Sequence, residues 1–133
     1  MTGEENFGKL LRFMNPRLGE NEFVFCSFTG SDFGEYSYLS PEAAVLEDEG
    51  ISLVVLRDKA DKYDLKYDTV FKKITLSVHS GLDAVGLTAT VSGKLSEKDI
   101  PANMIAGFYH DHIFVPVQRA EEAMAVLKKI KPV

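Results

Sequence analysis

The sequence predicts an α+β protein of ferredoxin-like type, with antiparallel sheets and helices packed on one face. Three observations predict it. Phe71 to Val78 alternates apolar Ile74, Leu76 and Val78 with polar Lys73, Thr75 and Ser77, the period of a half-buried strand. From Phe71 onward the order reads strand, helix, strand, strand, helix. Right-handed crossovers over an antiparallel sheet turn that order into a ferredoxin-like arrangement less its last strand. The closing helix, Arg119 to Ile130, sets Ala120, Ala123, Met124, Leu127 and Ile130 on one face and Glu121, Glu122, Lys128 and Lys129 on the other. Its acidic residues come early and its basic ones late, as the helix dipole favours.

The remaining elements follow in chain order. Phe7, Leu10, Leu11 and Met14 fall at helical spacing, and Pro16 stops that helix. Asn21 to Thr29 reads as a buried strand rich in Phe and Val. Thr29 to Gly34 is turn chemistry, continuing as a surface loop towards Pro41. Glu42 to Asp48 and Ile51 to Leu56 are strands joined by the hairpin signal Glu49-Gly50. Asp58 to Leu65 is a short helical connector. Ala84 to Glu97 is a helix with Leu87, Val91 and Leu95 at four-residue spacing and Ala84 and Thr88 on an adjacent strip. Gly86 and Gly93 inside it are each unfavourable by about 1 kcal/mol relative to Ala, and read either as close approach to a sheet or ligand or as tight packing. Ile100 to Tyr109 and His112 to Val117 are the last strands. Gly50 to Arg57 can be laid on His112 to Arg119, each ahead of a helical segment. Two related modules, 1–66 and 67–133, are the expected division, interlocked because each lacks an element.

Composition bounds the function. At 133 residues, 45% of them hydrophobic, the chain makes one ordinary domain or two small ones sharing a core. No apolar run approaches the roughly 20 residues of a membrane span. The opening Met-Thr-Gly-Glu-Glu-Asn lacks a signal-peptide pattern. Cys26, the single cysteine, lies among Phe and Val and reads as a buried thiol, and a cytoplasmic location is expected. Net charge is −5, with no basic cluster larger than Lys72-Lys73 or Lys128-Lys129, so neither nucleic acid nor a membrane is an expected partner.

The chemistry-bearing residues gather at two places. His79-Ser80-Gly81-Leu82-Asp83 joins a strand to a helix N-terminus, where backbone N–H groups lack partners. Such a corner either holds a carboxylate or phosphate or is capped by its own Ser or Asp. In His110-Asp111-His112 an extended backbone would put both imidazoles on one face, yet Asp is a natural turn residue and His79 is the one other histidine. A structural or ligand-facing hairpin is expected there, not a metal site. Ser80, His110 and Asp111 make a nucleophile set only on paper, since the Gly-x-Ser-x-Gly elbow is missing. There is no Gly-x-Gly-x-x-Gly phosphate loop, and acidic runs such as Glu47-Asp48-Glu49 read as solvated faces. No catalytic residue and no cofactor is expected. Asn103, placed mid-strand, carries an amide that the backbone or a ligand must satisfy.

His79 to Ala89, then Ile100 to Val117, together with Phe23-Val-Phe-Cys26 and Glu47-Asp-Glu-Gly-Ile51, resemble a bacterial family of small ACT-domain-like proteins of unknown function. That family is similar to the regulatory ACT modules of aspartate kinases. The resemblance covers nearly the whole chain and implies a pair of interlocked ACT-like modules that bind a small ligand, typically an amino acid, at module or subunit interfaces. It implies ligand contacts from His79, Ser80, Gly81, Leu82, Asp83, Ala84 and Val85, with Asn103, Met104, Ile105, Ala106 and Gly107 facing them. Corner N–H groups would hold a carboxylate and Asp83 an ammonium. A homodimer or a partner enzyme is the expected macromolecular partner. The alternative is a ligand-free assembly domain.

Overall fold

The structure, a computed structural model, describes residues 14–30, 32–77 and 86–130. The chain forms two compact units: one is Asn21–Phe71, and the other combines residues up to Glu20 with those from Lys72 onward.

In the unit Asn21–Phe71, β1 (Pro16–Phe28) contributes its part from Asn21. A 3-10 helix (Phe33–Leu39), β2 (Ala43–Glu47), β3 (Gly50–Leu56) and α1 (Arg57–Lys62) follow. The strand order is β2–β3–β1 with antiparallel pairs, Phe25 opposite Val54 and Ala43 opposite Val54 on its other side. Alternation puts Val24, Cys26, Ile51, Leu53 and Val55 on one face, where they form a core with Leu39 and Ala60. Cys26 is buried, as its setting predicts, and burial pushes its thiol pKa up. The 3-10 helix replaces the expected surface loop. Asp32 accepts a hydrogen bond from the Gly34 N–H at 2.9 Å, Tyr36 packs on Phe28, and Leu39 is fully buried. A cap and two apolar anchors are enough to fold a stretch whose composition reads as loop.

The other unit holds the first residues of β1, then β4 (Phe71–Leu76), α2 (Leu87–Glu97), β5 (Asn103–Ala106), β6 (Asp111–Pro116), a 3-10 turn (Val117–Arg119) and α3 (Ala120–Lys128). Its strand order is β1–β4–β6–β5. Ile74, Leu76, Ile113 and Val115 meet Leu87, Val91 and Leu95 of α2 and Ala120, Ala123, Met124 and Leu127 of α3 in one core. Both inward helix faces are those the sequence predicts. Asn103 opens β5 instead of lying mid-strand.

Four further expectations change. Pro16 starts β1 instead of ending a helix; proline is tolerated at a first strand position, where no N–H is required. Met14 is buried in the core and non-helical, while Phe7 to Leu11 lie outside the described residues. Gly86 is not inside α2. It caps the helix with φ +99°, a conformation that favours glycine. Gly93 is inside α2 but exposed, and a Cβ there would meet nothing within 4 Å, so neither close approach nor tight packing accounts for it. No helix among the described residues is long and apolar enough to cross a membrane.

The internal echo is real, but its register moves by two residues. Ala43 opposite Val54 becomes Asn103 opposite Phe114, and Leu46 opposite Ile51 becomes Ala106 opposite Asp111, each 60 positions later. Residues 51–60 and 111–120 also share one burial pattern, position by position. The basic side chains obey the same step. Lys59 donates to the Tyr38 carbonyl at 3.2 Å, and Arg119 to the Lys98 carbonyl at 2.8 Å. In each unit the helix that follows the hairpin supplies a cation to the carbonyl end of the helix that precedes it, where the dipole favours positive charge.

Candidate functional site

The predicted site has two parts. His79, Ser80, Gly81, Leu82, Asp83, Ala84 and Val85 lie outside the described residues. Both ends of that corner are described. Before it, Ser77 donates from its N–H to the Met14 carbonyl at 2.9 Å and from its hydroxyl to the Asn15 carbonyl at 3.2 Å, and Arg17 Nε donates to the same hydroxyl oxygen. After it, the Gly86 carbonyl accepts the first turn of α2 from Thr90 at 2.9 Å, and Leu87 is buried. The described residues on either side, Ser77 and Gly86, are thus each held by backbone hydrogen bonds.

The second part is the β5–β6 hairpin. Pairing of Asn103 with Phe114 and Ile105 with His112 sets these four on one sheet face, while Met104 with Ile113 and Ala106 with Asp111 take the other. The five predicted residues therefore do not converge. Met104 packs against the helix-side core, and the Asn103 amide donates to the Phe114 carbonyl at 3.5 Å. The bend itself is Gly107 to His110, closed by a 2.9 Å bond from the Gly107 N–H to the His110 carbonyl. A Cβ on Gly107 would lie 2.9 Å from that carbonyl and 3.5 Å from His112 Nε2, so this position has little room for a side chain. Phe108 and Tyr109 stand at the tip, 68% and 65% exposed, edge to face at 5.1 Å.

Asp111 is not in the turn, contrary to expectation. It is the first residue of β6, faces the helix side, and at 9% exposure is the one buried charged residue among those described. His110, just before it, has a buried Nδ1 without a hydrogen-bond partner among the described residues. His112 Nδ1 lies 3.1 Å from Thr75 Oγ1, which sets the start of β6 beside the end of β4. Among the described residues no three His, Cys, Asp or Glu side chains group as a metal site would require. A carboxylate and imidazoles therefore stand together at this end of the sheet, groups that serve as hydrogen-bond acceptors and, for imidazole, donors.

Sequence reasoning missed Asp111 because Asp in a hairpin reads as turn. The 60-residue step would have found it, since it sets Asp111 on Ile51, which is 0% exposed in its own core. A charged residue at a core position is a stronger signal than the His-x-His spacing beside it.

Comparison with known proteins completes the description. ACT-domain family profiles match residues 2–72 and 69–129. A solved protein of unknown function from Vibrio cholerae, described as a possible transport protein, is 41% identical, with a TM-score of 0.86 over 96% of this chain and 98% of that one. A protein from Agobacterium tumefaciens is 18% identical, with a TM-score of 0.67 over 85% of each chain. The ligand-free regulatory subunit of aspartate kinase from Thermus thermophilus is 9% identical, with a TM-score of 0.65 over 86% of this chain and 94% of that one; at that identity the likeness is one of fold. No curated protein sequence matches.

Proposed function

The chain belongs to the ACT-domain family, and from that premise we propose that it is a stand-alone regulatory module that binds a small ligand, an amino acid, and does no catalysis of its own. The observation that carries the reading is the join of β4 to α2: a strand end pinned at Ser77, a glycine-capped helix start at Gly86, and a buried carboxylate one strand away at Asp111. The intervening residues, His79 to Val85, are the proposed ligand contact, their N–H groups serving a ligand carboxylate. Binding there would favour one arrangement of the protein or its copies, and a partner enzyme would read the change. The buried thiol of Cys26 suits a reducing cytoplasm.

Thermal-shift screening against the twenty L-amino acids tests this. A ligand of the folded state alone, at a hundredfold over its Kd, adds about 2.7 kcal/mol. The expected result is a shift with one amino acid or one chemically related set. A second reading, a ligand-free assembly domain, is favoured by Val45 and Leu46, both 57% exposed on the edge strand β2. It predicts no shift with any amino acid and a stable oligomer by light scattering, which Val45→Lys disrupts.

A further inference from the structure

We propose that, in the unit that holds β4 to β6, the sheet face turned away from the helices binds a small phosphate-bearing molecule through the Arg17 guanidinium. The site is separate from the amino-acid reading above, and each stands or falls without the other.

Alternation along the strands sets this face. Leu18 of β1, Ile74 and Leu76 of β4, and Ile113 and Val115 of β6 all pack into the helix-side core, so Arg17, Lys73, Thr75 and His112 take the other side. The three strands are neighbours in the order β1–β4–β6. Their carboxylates go elsewhere. Glu20 alternates with Leu18 to the helix side, as Asp111 does with Ile113. In a chain of net charge −5, this face therefore carries positive charge and no Asp or Glu among its described residues.

The guanidinium is held in place although it is exposed. Arg17 Nε donates to Ser77 Oγ at 3.2 Å. Ser77 is itself tied, its hydroxyl donating to the Asn15 carbonyl at 3.2 Å and its N–H to the Met14 carbonyl at 2.9 Å. The two Nη groups take no hydrogen bond or ion pair among the described residues. A guanidinium fixed at one edge with its fork open is prepared for two parallel bonds to one anion, and little ordering is left to do on binding. There is room beside it. Gly19 lies two residues on along the same face, and a Cβ there would meet only the Lys73 carbonyl, at 3.3 Å. Lys73 adds a second positive charge on the adjacent strand. Thr75 Oγ1 lies 3.1 Å from His112 Nδ1, and with the imidazole as donor the hydroxyl keeps its own hydrogen for a ligand oxygen. Two positive charges, a hydroxyl and no carboxylate to meet an ammonium match a phosphate dianion better than a zwitterionic amino acid.

Isothermal titration of the whole chain at low ionic strength with inorganic pyrophosphate, and separately with ADP, tests this. The wild type should bind at least one of them; equal affinity assigns the site to the phosphate groups alone, and tighter ADP assigns it to a nucleotide. Arg17→Gln should weaken binding roughly ten- to a hundredfold, the scale of a hydrogen bond to a charged group. Arg17→Lys keeps the charge, loses the fork, and should weaken binding severalfold. Lys128→Gln removes an exposed charge from α3 and should change affinity less than about twofold. A wild type that binds neither compound overturns the proposal, as does an Arg17→Gln protein that folds and binds like wild type. A loss in Lys128→Gln equal to that in Arg17→Gln also overturns it, because affinity would then follow net charge and not the site. Where Arg17→Gln does not fold, Arg17→Lys and Lys73→Gln decide: a loss in either supports the proposal, and unchanged affinity in both overturns it.

Discussion

The two hairpins of this chain share a backbone and differ in chemistry. β2–β3 and β5–β6 keep the same pairing 60 residues apart. At the base of the first, Gly50 holds φ +143° and a Cβ would fall 1.9 Å from the Phe28 carbonyl, Ile51 fills the core, and Ser52 donates to the Glu47 carboxylate. At the base of the second stand His110, Asp111 and His112, with a buried carboxylate and a buried imidazole nitrogen. One strand end is closed by packing and the other is lined with polar groups. The same strand pairing thus accommodates an aliphatic side chain at one position and a carboxylate at its equivalent.

The largest effect expected is from making the first hairpin resemble the second. Ile51→Asp buries an unpaired charge in an apolar core and should cost about 4 kcal/mol or more, enough to unfold that unit at ambient temperature. Chemical denaturation monitored by circular dichroism checks this, and a nearly native midpoint would mean that the two hairpin bases are not different environments. Next is Gly50→Ala, which places a methyl against backbone at a positive φ and should cost on the order of 3 kcal/mol. A loss below 1 kcal/mol in the same assay would show that β1 and β3 can part there. Gly93→Ala lies on an open helix surface and should stabilise by about 0.5–1 kcal/mol; a fall in melting temperature would reveal a contact at that face.

The smallest effect concerns the two helix clamps. Arg119 makes bonds of 2.8 and 3.2 Å to the Lys98 and Asp99 carbonyls, while Lys59 makes longer ones to Tyr38 and Ser40. Arg119→Ala should therefore lower the melting temperature slightly more than Lys59→Ala. Arg119 also bonds Glu122 at 2.9 Å and holds its carboxyl below the ordinary range. A carboxyl lowered in the folded state contributes stability above its unfolded pKa and loses it as pH falls through the folded one. The pair is solvent-exposed, so the contribution is small. Comparing wild type with Arg119→Ala from pH 7 to pH 3, the gap between their melting temperatures should narrow towards acid; a constant gap would assign the whole effect to the carbonyl bonds.

Periodicity carried the secondary structure where one face is buried. Leu87, Val91 and Leu95, and Ala120, Ala123, Met124 and Leu127, are inward in the structure because helical spacing leaves no other face apolar. The strands around Glu49-Gly50 and the burial of Cys26 were legible for the same reason. The family resemblance was legible in motifs such as Ile100 to Val117. Less legible were the 3-10 helix at Phe33–Leu39, the helix cap at Gly86 and the start of β1 at Pro16. Each depends on a backbone angle or a distant anchor that composition does not encode. In the candidate site, sequence drew attention to the triplet His110-Asp111-His112 but assigned its middle residue to the turn.

What the sequence by itself determined is the class of protein: an antiparallel sheet with amphipathic helices, made of two related ACT modules, since apolar spacing and family motifs are properties of neighbours along the chain. What only the tertiary structure decided is which residues are equivalent between the modules and which way Asp111 faces. Strand pairing fixes those through backbone hydrogen bonds between residues far apart in sequence, and a shift of one residue in that pairing would send the same side chain to the opposite face.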